Sequence, residues 1–328
     1  MQTRLTEILN IQHPVMLAGM GGVSYAPLVT AVSEAGGFGC LGASTMSRER
    51  MVAEIAQVAQ ATDKPFGVDL LTAMPGDLVG QVEDIIEGGA SVFVAGLGVP
   101  SDVVELCHAS GVLVINMCGK VDHAKRAVDA GCDIVVAQGT EAGGHTGQVA
   151  TMPLVPQVVD AVGDAVPVVA AGGIFDGRGL AAALALGADG VWVGTRFIAT
   201  PEARAVGGYK DALIRTAEDG TTISRAFSGK TMRVVRNDYT AFFDEHPEEL
   251  QRFPGQLGRA AHDGAFHLGG GENTEGIDPT KECYPTGQGV GGIGTLIPAA
   301  ALVESIVTQA ERVLAGVAQL VPSHNGAR

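Results

Sequence analysis

Short runs of β-branched and apolar residues alternate with Ala-rich stretches of helical periodicity along most of the chain. The runs begin near Val15, Phe38, Phe66, Val92, Val112, Ile134, Val168 and Val191, so successive starts lie 23, 28, 26, 20, 22, 34 and 23 residues apart. Each interval holds one strand, one crossover helix and two short loops, the repeat of a parallel sheet. Helices are predicted between the runs, over Ala26–Ala35, Arg48–Ala59, Leu78–Glu87, Asp102–Ala109, Val121–Ala130, Leu154–Val162 and Gly177–Leu186. Eight successive units predict an α/β fold, a (β/α)8 TIM barrel. An open doubly wound sheet would use the same units in another order. Glycine-containing strand ends recur at several units, and no G-x-G-x-x-G opens a helix after the first strand; both points favour the barrel.

The pattern breaks in two places. The 34-residue interval carries its excess in Gly139–Met152, directly after the sixth run, at the barrel face where long loops house function. After the eighth run, Pro201–Tyr284 is richer in charge and holds five of the ten phenylalanines (Phe227, Phe242, Phe243, Phe253 and Phe266). We expect residues 1–200 and 286–328 to form the barrel, residues 201–285 to form a helical insert capping the barrel mouth and its substrate pocket, and a returning helix at Pro298–Ala315.

Composition narrows the partners. With 36 acidic residues against 21 Lys and Arg, the net charge is −15, and no basic run offsets the repulsion of a phosphate backbone, which excludes nucleic acid as an expected partner. The first residues, Met1-Gln2-Thr3-Arg4-Leu5, lack an apolar signal core, and no apolar stretch reaches the length of a membrane span, so the expected location is cytoplasmic, without a membrane. Five scattered cysteines without a C-x-x-C pair read as reduced core thiols, and no His/Cys grouping suggests a metal. Glycine, at 47 residues, is about twice its ordinary share.

Much of that glycine sits where chemistry is expected. Val168-Val169-Ala170-Ala171-Gly172-Gly173 and Val191-Trp192-Val193-Gly194-Thr195 are buried runs ending in small residues, whose N–H groups can approach an anion without an intervening side chain. The other reading is that these glycines only let helices pack closely on the sheet. In Gln138-Gly139-Thr140-Glu141-Ala142-Gly143-Gly144-His145, an imidazole stands among glycines. Its ordinary pKa of about 6.5 makes His145 the foremost general base or acid, against the alternative of an exposed loop histidine. The first strand end, with Ala18 and Gly19, could pack against a flavin ring. Asp69, at the third strand end, is either a site residue or a helix-capping acid. Tyr284–Gly292 is a glycine-rich turn expected to fold back onto the phosphate region. Arg204, Arg225, Lys230, Arg233, Arg236 and Arg259 are read first as a solvated face and second as an attractor of a CoA or acyl-carrier phosphate.

Gln138–Gly147, Ala170–Gly179 and Val193–Phe197 together resemble the nitronate monooxygenase family, formerly called 2-nitropropane dioxygenases, from about Thr6 to Ile198 and again from Thr286 to Val307. The resemblance implies an FMN-dependent oxidoreductase that oxidises alkyl nitronates with O2, the histidine matching His145 acting as general base. It implies FMN contacts at Ala18, Gly19, Asp69, Gln138, Gly143, Gly144, Gly172, Gly173, Trp192, Val193, Gly194 and Thr195. The family commonly has Asn where this chain has Asp69; an ionised carboxylate cannot donate a hydrogen bond, so a contact needing a donor would be lost or would require protonation. The same motifs are similar to those of FMN-dependent enoyl-thioester reductases, which use NAD(P)H, and of related acyl-CoA oxidoreductases. A small molecule and O2 are therefore the expected partners, with NAD(P)H or an acyl-thioester as the alternative.

Overall fold

The computed structural model describes residues 1–320 apart from residues 73–75, 97 and 99. Strands β1 (Val15–Leu17), β2 (Gly39–Gly42), β3 (Phe66–Leu71), β4 (Val92–Gly96), β5 (Leu113–Cys118) and β6 (Ile134–Gln138) are followed by a two-residue strand, β7 (Gly144–His145), and then by β8 (Val168–Ala171) and β9 (Gly190–Val193). All except β7 join one parallel sheet in the order β1-β9-β8-β6-β5-β4-β3-β2. A parallel bridge between Met16 and Phe38 brings its two ends together, with the Leu17 N–H donating to the Phe38 carbonyl at 2.8 Å and the Phe38 N–H to Val15 at 2.9 Å. The sheet is therefore a closed eight-stranded barrel rather than an open doubly wound sheet.

Side-chain alternation separates two cores. Residues one apart along a strand face opposite sides of the sheet, so Val15, Leu17, Val68, Leu70, Val135 and Val191 pack outward against the helices. Met16, Phe38, Val94, Ile115, Val136, Val169 and Trp192 fill the barrel interior. The bottom of the barrel is plugged by a helix over Arg4–Leu9 that the sequence pattern did not announce; a reciprocal capping box between Thr3 and Thr6 starts it, and Leu5 and Leu9 join the interior core. The predicted crossover helices are present. Leu78–Glu87 has the expected bounds, whereas Thr151–Val162 begins three residues before the expected Leu154. All five cysteines are buried and unpaired.

Between β9 and the last barrel helix, Ala299–Ala318, lies the insert. It is helical only in part. Helices over Tyr209–Arg215, Asp238–Glu245 and Gly255–His262 are joined by an antiparallel hairpin of β10 (Thr221–Ser224) and β11 (Met232–Val235). The insert has its own small core of Phe227, Met232, Val234, Phe243 and Cys283. Strand β11 also pairs with β7, Met232 opposite His145 and Arg233 opposite Gly144. The loop after β6 is thus fixed by a ladder to the insert.

Candidate active site

The inward-facing positions at the C-terminal ends of the strands form one rim. On β6 the interior residues Ile134 and Val136 put Gln138 inward, on β9 they put Trp192 inward, and Met16 on β1 is followed at the same face by Ala18. On β3, Phe66, Val68 and Leu70 face the helices, so Asp69 faces the lumen; it sits inside a strand and caps no helix. Asp69 packs on Gly19 so tightly that a Cβ at Gly19 would lie 2.3 Å from its own.

Across the rim, Gly172 and Gly173 end β8 with φ of +105° and +73°, a left-handed path open to glycine at little strain. The N–H groups of Gly173, Gly194 and Thr195 have no protein acceptor among the described residues. Thr286–Gly292 does fold back here: the Gly287 N–H donates to Thr195 Oγ1 at 2.9 Å, the Gln288 N–H donates to the Glu141 carbonyl at 2.8 Å, and Gly289 abuts Gly173. Gly143 lies against Thr286 and Gly287 with no room for a side chain. Free N–H donors on glycine backbone at two adjacent strand ends fit a phosphate, and the lumen-facing rim residues fit a planar ring above it.

His145 projects from β7. Its carbonyl accepts from Gln138 Nε2 at 2.9 Å, which ties it to the barrel, and its Nε2 lies 3.0 Å from Ser228 Oγ of the insert. Burial, reinforced by the nearby Lys230 ammonium, holds its pKa below the usual imidazole value, so the ring is neutral at pH 7 and able to accept a proton. Arg233 locks this loop. It is buried, donates from Nε to the Thr140 carbonyl at 2.9 Å and from its guanidinium to Thr221 Oγ1 at 3.2 Å. Sequence reasoning read Arg233 as part of a solvated face and did not single out Ser228. Only the pairing of β11 with β7, across more than eighty residues, brings them to His145.

A cavity of about 840 Å³ opens between barrel and insert. Gln138 and His145 line it, whereas Asp69, Gly173, Trp192 and Gly194 lie at the same barrel end but outside its lining. Its cationic residues come from both sides: Arg126 from the helix Val121–Asp129, Arg225 and Lys230 from the insert. Two further arginines of the insert have different tasks. Arg204 stacks on Tyr25, and Arg259 pairs with Glu249 while covering Phe243. Among the described residues no three His, Cys, Asp or Glu side chains gather to hold a metal, and no helix is long and apolar enough to cross a membrane.

The family match places this closed parallel barrel, with its glycine-lined rim and the histidine on the loop beside it, in the class of flavin-dependent barrel oxidoreductases. Within it, the chain belongs to the nitronate monooxygenase family, which it matches over residues 2–78 and 71–309. It is 42% identical over 239 residues to the (3aS,4S,5R,7aS)-5-hydroxy-7a-methyl-1-oxo-octahydro-1H-indene-4-carboxyl-CoA dehydrogenase of Mycobacterium tuberculosis, covering 73% of this chain and 67% of that one. FabK from Thermotoga maritima superposes with a TM-score of 0.88 at 33% identity, over 98% of this chain and all of its own. The nitroalkane oxidase of Streptomyces ansochromogenes does so with a TM-score of 0.81 at 29% identity, over 95% and 99%.

Proposed function

We propose that this protein binds FMN at the glycine-lined rim and carries out redox chemistry on an acyl-thioester of the CoA type, with His145 exchanging the proton at the carbon beside the activating carbonyl. One observation carries the substrate class: the cavity at His145 is near the upper end of small-molecule sites in volume and is bordered by Arg126, Arg225 and Lys230 in a protein of net charge −15. A short nitronate carries one charge and a few heavy atoms, whereas a thioester carrying a nucleotide phosphate tail would use both the volume and the cations. The CoA dehydrogenase similarity supports the same class.

Gly173, Gly194 and Thr195 would hold the FMN phosphate through their N–H groups, with Ala18, Gly19, Asp69, Gln138 and Trp192 beside the ring. FMN supplies the acceptor or donor of a hydride equivalent. The chain's own part is to hold substrate between barrel and insert, to exclude water beneath the cap, and to keep His145 neutral and aimed through Gln138 and Ser228.

Oxidation of alkyl nitronates by O2, with His145 as base, is the second reading, favoured by the family match and by the nitroalkane oxidase similarity. Anaerobic mixing of the FMN-loaded protein with acyl- and enoyl-CoA, NADH, NADPH and propyl-2-nitronate separates the two. Bleaching of the flavin by a saturated acyl-CoA, or its reoxidation by an enoyl-CoA after NAD(P)H reduction, is expected. Bleaching by the nitronate alone would replace the first reading with the second.

A further inference from the structure

Asp69 is buried to 9% exposure and faces the barrel lumen, yet its carboxyl has no hydrogen-bond or ion-pair partner among the described residues. Among the described residues no lysine, arginine or histidine compensates it. Titratable neighbours are few: β2 contributes only Cys40, a buried thiol whose own pKa is raised, while Gly19 on the β1 loop and Gly96 on β4 contribute bare backbone. Its oxygens are not sealed off, the fully buried unpartnered side-chain atom among the described residues being His13 Nδ1, so they are open to whatever occupies the lumen. Asp69 lies at the rim where the ring of a bound flavin is expected, pressed against Gly19, so the missing partner is on the lumen side.

We propose that Asp69 meets the flavin as a neutral carboxylic acid that donates a hydrogen bond to the ring, so that loss of this single proton weakens cofactor binding. The inference rests on the flavin reading above. Burial without a counter-charge pushes the Asp69 carboxyl up to about 8, so the acid is neutral at pH 7 and its O–H can replace a side-chain amide as donor. Ionisation would remove the donor and place a negative charge against an electron-rich ring edge.

The test is FMN affinity as a function of pH, read by fluorescence quenching during reconstitution of the apoprotein, for wild type and Asp69→Asn. Wild-type affinity should hold between pH 7 and the Asp69 transition, then fall by up to tenfold per pH unit above it. Asp69→Asn keeps a donor and has no proton to lose, so it should bind without that step, while any titration of the FMN phosphate appears in both proteins. Parallel profiles would overturn the proposal. Should Asp69→Asn fail to fold, the infrared difference spectrum of wild type with and without FMN decides. A protonated-carboxyl C=O band shifted by FMN at pH 7 and lost as the pH rises through 8 to 9 supports it, and no such band overturns it. Failure of wild type to take up FMN at any pH defeats the flavin reading itself, a result distinct from parallel profiles.

Discussion

At the scale of single residues, the site is governed by two groups whose protonation is set by burial. His145 titrates below the usual imidazole value because burial and Lys230 both disfavour its cation. The base form is therefore present at neutral pH and is lost as pH falls through the lowered value, so kcat/KM should decline on an acid limb lying below about 6.5. Lys230→Met removes one of the two causes and should move that limb to higher pH, measured by kcat/KM profiles. His145→Asn should lose about 10²–10⁴-fold in turnover while retaining FMN, which the bound-flavin absorbance checks. Asp69 works in the opposite sense. Its folded pKa lies above its unfolded one, so the stabilisation it gives is complete below about pH 4 and is lost as pH rises toward 8. Asp69→Asn should raise the stability of the apoprotein at pH 7 by about 2–4 kcal/mol and flatten its dependence between pH 5 and 8, measured by urea denaturation.

At the scale of elements, what could be read from sequence followed the range of the interactions. The eight strands and their crossover helices are repeated local patterns, and each appears within a few residues of its expected place because burial on both faces demands apolar runs such as Ile134–Ala137. His145 and the glycine strand ends were legible because glycine at Gly172 and Gly173 answers a local backbone need. The hairpin β10–β11 was not. Its strands are four residues long, and β11 pairs outward with β7, a partner more than eighty residues away that carries no strand pattern of its own. Ser228 was missed and Arg233 was read as a solvated-face residue for the same reason, since their roles exist only through that pairing. Arg233→Met tests the link: losing its bonds to Thr140 and Thr221 should destabilise the protein by about 1–3 kcal/mol and lower turnover while FMN stays bound, seen by denaturation and flavin absorbance together.

At the scale of the molecule, charge separates the two substrate readings. An overall charge of −15 repels an anionic substrate at a distance, so one that does bind must be met by a local reversal of sign, and Arg126, Arg225 and Lys230 supply it at the cavity between barrel and cap. Arg126 also pairs with Asp122 on its own helix, but both side chains are largely exposed, and such a pair yields readily to a phosphate. Neither Arg126 nor Arg225 touches His145 by a hydrogen bond, so their removal should leave the chemistry alone. The Arg126→Gln, Arg225→Gln double variant is expected to raise KM for an acyl-CoA by about 10–100-fold with little change in kcat, in keeping with the loss of one or two charge-assisted contacts. The matching acyl-pantetheine, which lacks the nucleotide phosphates, should show almost no difference between variant and wild type. Wild-type KM for the acyl-CoA should also climb with ionic strength while that for the pantetheine stays level, because screening acts only on the charged partner. Equal KM changes for both substrates would mean that the arginines shape the cavity rather than read charge, and would return a short nitronate to first place.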